Sequence, residues 1–209
     1  MDSVETFSTY FKEYDRWFEE HPVLFKSELE ALDKVVPYNK YGIEIGVGTG
    51  RFAKKCVIDW GVDPSENMAR IAQQRGIKTL LAKAEAIPFL SNTFDFAVMI
   101  TTVCFLDNIP KAFQETRRVL KPNGSFIIGM IDKNSPLGQQ YQENKKDNPF
   151  YRHAHFHSVD EITDYLKDAG FGKFKYWQTL ITASEKEVEK PREGYGEGGF
   201  VVIKATLLQ

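Results

Sequence analysis

Residues 41–63, YGIEIGVGTGRFAKKCVIDWGVD, decide the fold. A short apolar run at 43–45 is interrupted by one acid, Glu44. Three glycines follow at alternate positions, Gly46, Gly48 and Gly50. A second apolar run carries Val57, Ile58, Trp60 and Val62 and ends in another acid, Asp63. The pattern predicts a strand, a glycine-rich turn, a short helix and a second strand with a carboxylate at its tip. Residues without side chains let the turn tighten and let a ligand approach the backbone. A carboxylate at the end of the next strand can accept two hydrogen bonds from a ribose diol. Together these features describe a pocket for an adenosine-containing cofactor. The alternative is a tight turn that joins strand to helix for packing alone.

Spacing separates the cofactor classes. The nicotinamide and flavin fingerprint G-x-G-x-x-G needs a third glycine where Arg51 stands. The glycines instead read E-x-G-x-G-x-G from Glu44 to Gly50, which resembles the first motif of the class I S-adenosylmethionine-dependent methyltransferases, in particular the type 11-like group with small-molecule acceptors. Residues 82–100, AKAEAIPFLSNTFDFAVMI, resemble the next landmarks of that family, and RRVLKPNGSFIIG at 117–129 resembles a third. The specific resemblance covers roughly residues 35–130. It implies S-adenosylmethionine as cofactor and a small-molecule methyl acceptor. It implies that Gly46 and Gly48 allow close backbone approach along the methionine moiety, with Val47, Gly50 and Pro64 completing the cradle. Glu44 orients the loop or takes the cofactor's ammonium, and Asp63 holds the ribose hydroxyls. Met68 and the segment Lys83, Ala84 and Glu85 frame the adenine. Thr101, at the end of the fourth strand, faces the crevice where the acceptor approaches. The chain departs from the family at Lys83, where an aspartate is usual. Lysine has no acceptor, so the adenine amino group must meet Glu85, a backbone carbonyl or water.

The 209 residues fit a single domain spanning 1–209. With 42% apolar and 27% charged residues, the composition is that of a soluble globular chain. A formal net charge of -2 and the lack of a basic stripe argue against nucleic acid as partner. No apolar run approaches the ~20 residues that cross a bilayer, and the acidic, aromatic N-terminus has no leader-like character. Two cysteines without a CxxC pair fit reduced thiols in a cytoplasmic protein.

Outside the central motif, Val4, Phe7, Phe11, Tyr14 and Phe18 recur at helical spacing, and a second helix starts near Pro22. These N-terminal helices occupy 1–37, and the Tyr14 hydroxyl is placed to reach the pocket. Ser65 caps the helix after Asp63, Pro110 opens another, and Ser158 with Glu161 forms a capping box. Residues 133–157 are polar with little periodicity and read as a lid insert. They contain His153, His155 and His157, three of the four histidines, whose alternate spacing puts them on one face of an extended segment. No acid or cysteine completes a metal motif, so no metal is expected. If a general base is used, Tyr151 or one of these histidines is the candidate.

The expected architecture is therefore a doubly wound, mostly parallel seven-stranded α/β sheet with an antiparallel last strand. The expected activity is in-line methyl transfer to a small molecule. The alternatives are a non-catalytic S-adenosylmethionine-binding module or a nicotinamide-dependent oxidoreductase on a related fold. Neither the oligomeric state nor the chemical identity of the acceptor is legible from the sequence.

Overall fold

The computed structural model describes residues 2–208. Three helices come first, α1 (Ser3–Thr9), α2 (Phe11–Glu20) and α3 (Pro22–Asp33). The alternating body follows as β1 (Gly42–Ile45), α4 (Arg51–Lys55), β2 (Trp60–Asp63), α5 (Glu66–Gln74), β3 (Lys78–Leu81), β4 (Phe94–Ile100), α6 (Ile109–Val119) and β5 (Leu120–Ile131). The chain ends with α7 (Pro136–Asn144), α8 (Val159–Asp168), β6 (Phe171–Thr179), β7 (Arg192–Glu193) and β8 (Phe200–Leu207). One sheet runs in the order β3-β2-β1-β4-β5-β8-β6-β7. The first five of these strands pair in parallel, and β8 is antiparallel to both β5 and β6. This is the doubly wound, mostly parallel sheet with antiparallel last strand that the sequence predicts. The eighth strand is a two-residue edge ribbon inside what reads as a charged loop.

The apolar residues explain the layers. All four residues of β1 are buried, as a strand covered on both faces requires. Successive residues of β5 alternate between two cores: Phe126 and Ile128 pack with Ile43, Ile45, Phe113 and Ile162. Ile127 and Ile131 pack with Phe25, Leu32, Phe52 and Phe200. The order in which the chain adds parallel strands reverses between β1 and β4, and ligands bind outside the carboxyl ends of strands at such a switch point.

Local signals place the helices well. The Ser65 hydroxyl accepts from the Met68 N–H, and the Asn108 side chain accepts from the Lys111 N–H. Ser158 and Glu161 form both halves of the capping box. Two expectations need correction. The aromatic run 4–18 is not one helix, because the chain breaks at Tyr10, and the break lets the Phe7 ring meet Tyr14 edge-on at 5.5 Å. Residues 133–157 are not wholly irregular: Ser135 caps α7, which places Leu137 and Tyr141 on the cavity described below.

An ion cluster docks α2 on the glycine turn. Arg51 donates from Nε and Nη2 to the Asp15 carboxylate at 2.9 and 2.6 Å, and to Glu19 at 2.7 Å. Arg75 reaches the same carboxylate at 2.7 Å and the Thr49 carbonyl oxygen at 2.6 Å. Partial burial alone would raise the Asp15 carboxyl. The hydrogen bonds from Arg51 and Arg75 outweigh it and hold the group well below the usual carboxylate range. The stabilisation is therefore in place above the unfolded-state value of about 3.9 and is lost as pH falls through the acid range. Asp15→Asn should lower stability at pH 7 by about 1 to 3 kcal/mol. Urea melts should show the gap between variant and wild type closing below pH ~4. Equal stability at pH 7 would mean that the cluster contributes nothing.

Candidate functional site

The glycine turn leaves β1 under tight constraint. The N–H groups of Gly46 and Val47 both donate to the Val62 carbonyl, at 2.8 and 3.0 Å, which binds the turn to the end of β2. Gly46 has φ +73°, and a Cβ there would overlap the Thr102 side chain. Gly48, at φ +52°, lines the cavity instead, and a Cβ there would be in ordinary contact with the Tyr14 ring at 3.5 Å. The Gly48 N–H donates to Asp63 Oδ2 and the Ser65 N–H to Asp63 Oδ1, both at 2.9 Å. The carboxylate at the tip of β2 is thus aimed by two backbone donors. Burial still outweighs these bonds and raises the Asp63 carboxyl to about 6.

Beside this turn lies a cavity of about 650 Å³, within the range of small-molecule sites. Gly46, Gly48, Asp63, Pro64, Met68, Lys83, Ala84, Glu85, Thr101 and Tyr151 all reach its wall. The loop after β3 is tied to the loop after β4. Lys83 Nζ donates to Asp107 at 2.8 Å, and Glu85 accepts from the N–H groups of Asp107 and Asn108, each at 3.1 Å. The Lys83 charge is therefore neutralised at the rim.

Six residues singled out from the sequence stand off this wall. Glu44 is buried beneath the turn, where burial drives its carboxyl well above the usual range despite a hydrogen bond from the Ala53 N–H. One of its oxygens has no partner. Its place fits loop support and not contact with a ligand's ammonium. Val47 points into the core against Gly61, and Gly50 caps α4 with a left-handed backbone beside Ala72. His153 and His155 are exposed, and His153 lies in a turn that takes it out of the following stretch, which holds His155 and His157. His157 is half-buried, and burial lowers its imidazole. Among the described residues, no group of three His, Cys, Asp or Glu side chains could hold a metal. Tyr151 is stacked on Tyr141 at 4.9 Å, and burial followed by that neighbour pushes its phenol well above the usual range. Its phenol keeps its proton at ordinary pH.

Tyr14 lines the cavity, as expected of the N-terminal helices; the sequence reading missed that Trp17, Phe18 and Tyr141 join it in an aromatic wall, together with Leu24, Leu180 and the acid Glu28. Glu28 is 5% exposed. A signal was present: Leu24, Glu28 and Leu32 follow one another at helical spacing, so an acid stands on the buried stripe of α3.

The cavity suits an adenosyl sulfonium compound. The bare backbone at Gly48 leaves room that a side chain would fill, and the Asp63 carboxylate opens on the same space. Met68, Ala82 and Ala84 supply apolar wall beside it.

Comparison with known proteins agrees with this geometry. A family described as a methyltransferase domain matches residues 43–128. An uncharacterized protein of Methanocaldococcus jannaschii is 46% identical, covering 98% of this chain and 100% of its own length. A Thermotoga maritima structure, described as an S-adenosylmethionine-dependent methyltransferase and possible histamine N-methyltransferase, is 45% identical. It superposes with a TM-score of 0.94 over 97% of this chain and 98% of its own. More distantly, the human mitochondrial arginine-hydroxylase NDUFAF5 is 28% identical over 79% of this chain and 52% of its length. The glycine turn, the strand order and these full-length likenesses place the chain in the class I S-adenosylmethionine-dependent methyltransferases.

Proposed function

We propose that the protein transfers a methyl group from S-adenosylmethionine to a small-molecule acceptor. The observation that carries this reading is a cavity that joins the Asp63 and Gly48 cradle to an aromatic wall, with the Tyr14 ring 3.5 Å from where a Gly48 Cβ would stand. The sulfonium supplies a strongly electrophilic methyl group. The chain's work is then to hold donor and nucleophile in line and to exclude water.

Asp63 holds the ribose hydroxyls, and Gly46 with Gly48 gives the methionine part close access to backbone. Met68 and the Lys83–Glu85 segment frame the adenine. With Lys83 neutralised by Asp107, the adenine amino group is read by backbone or water. The acceptor sits between Thr101, the N-terminal helices and residues 133–157, the last of which form the lid of a single domain. A second reading, a binding module without turnover, draws on the Lys83–Asp107 pair in place of an acid. It predicts cofactor binding with no methylated product.

Calorimetry with S-adenosylhomocysteine, and NADH as control, is the direct test: micromolar binding of the first alone is expected. Asp63→Ala should weaken that binding by about 1.5 to 3 kcal/mol through loss of a charged hydrogen bond. Wild-type affinity in this variant would refute the ribose assignment. Gly48→Val should abolish binding with the circular dichroism spectrum retained. Because the Asp63 carboxyl lies near 6, its acceptor form is lost on acidification. Affinity should fall as pH drops below that value, and the pH dependence should vanish in Asp63→Asn.

A further inference from the structure

Glu28 is 95% buried on residue accessibility, faces the cavity, and has no hydrogen-bond or ion-pair partner for its carboxyl group among the described residues. A buried carboxyl without a partner is costly, so its position calls for a ligand. It stands apart from the adenosine side. The groups assigned to the cofactor hang from the ends of β1, β2 and β3, whereas α3 packs on β6 and β8, beyond β4 and β5 in the sheet. The walls around it are Tyr14, Trp17, Phe18 and Tyr141, and aromatic faces attract cations. Among the described residues, eight carboxyl-bearing side chains line the cavity against one lysine, Lys83, which is already paired. Among the described residues, this wall offers an anionic acceptor no unpaired cationic side chain.

We propose that the acceptor is a small arylalkyl amine and that Glu28 is the group that recognises its ammonium, an inference that rests on the methyl-transfer reading above. The ammonium gives one proton to the Glu28 carboxylate. The freed nitrogen lone pair then forms the N–C bond as the S–C bond breaks, and the electron pair of that bond leaves on sulfur as a neutral thioether. Burial raises the Glu28 carboxyl to about 8, so it exchanges a proton with an amine at little cost near neutral pH. The aromatic rings supply the stacking surface for the rest of the molecule.

The test uses the full chain loaded with S-adenosylhomocysteine. Histamine, tyramine and phenethylamine are titrated in by calorimetry beside 2-phenylethanol and phenylacetate, the neutral and anionic counterparts of the last amine. At least one amine should bind ten-fold or more tightly than both counterparts. With S-adenosylmethionine, that amine should yield an N-methyl product. Glu28→Gln should weaken amine binding at least ten-fold and leave S-adenosylhomocysteine affinity unchanged, and Glu28→Asp should recover part of the loss. Thermal melts report whether each variant folds. If neither does, the wild-type comparison of amine with alcohol and acid decides alone. Equal binding of the alcohol, no binding of any amine, or a Glu28→Gln defect confined to S-adenosylhomocysteine would overturn the inference. In the last case Glu28 serves the cofactor's own ammonium. Failure of the wild type to bind S-adenosylhomocysteine would sink the methyl-transfer reading itself, and this inference with it.

Discussion

At Gly46 and Gly50 the backbone runs where a side chain does not fit. Three residues in five have φ between +52° and +78°. Gly46 is pressed against Thr102, and Gly50 lies 3.0 Å, as a Cβ would stand, from Ala72. Only glycine meets both demands without strain. From that constraint the rest follows. The tight turn lets α4 begin at once, which carries Arg51 out to Asp15 and brings α2 over the turn. It also keeps the Gly48 N–H free to aim Asp63. A bulkier turn would separate the helical roof from the floor of the cavity.

The same region concentrates buried acids. Glu44, Asp63 and Glu28 are each pushed upward by burial, to different degrees and with different relief. Asp63 receives two backbone donors and stays near 6. Glu44 receives one and is held as a neutral carboxylic acid. Glu28 receives none. Burial without compensation costs stability, and a fold built for stability alone would have placed leucine at such positions. Of the two acids in this set that reach the cavity, Asp63 beside the glycine turn is relieved and Glu28 on α3 is not.

The parts of the fold legible in the sequence are those set by local chemistry. The turn glycines, the Ser65 and Ser158 caps and the apolar runs of β1, β4 and β5 act through neighbours a few residues away, and each was readable. What was not readable depends on distant packing. The break at Tyr10 serves a contact between Phe7, Phe105 and Phe150, far apart in the chain. The helix α7 lies in a polar stretch whose one apolar side only acquires meaning beside the cavity. The histidines looked like a set because their spacing is regular, but His153 sits in a turn and only His157 of the three is half-buried. Arg51, read only as a departure from a nucleotide fingerprint, is the anchor of the roof. Its partner Asp15 lies 36 residues away, which no local pattern reveals.

The predominance of acids around the cavity bears on turnover as well as on recognition. On the proposed function, the donor enters as a cation and leaves after losing its methyl as a molecule with one positive charge fewer. A carboxylate-rich chamber favours the former over the latter by electrostatics alone. The spent product is then the more weakly held of the two, so the field of the cavity itself opposes product inhibition and helps to reset the site for the next molecule of donor.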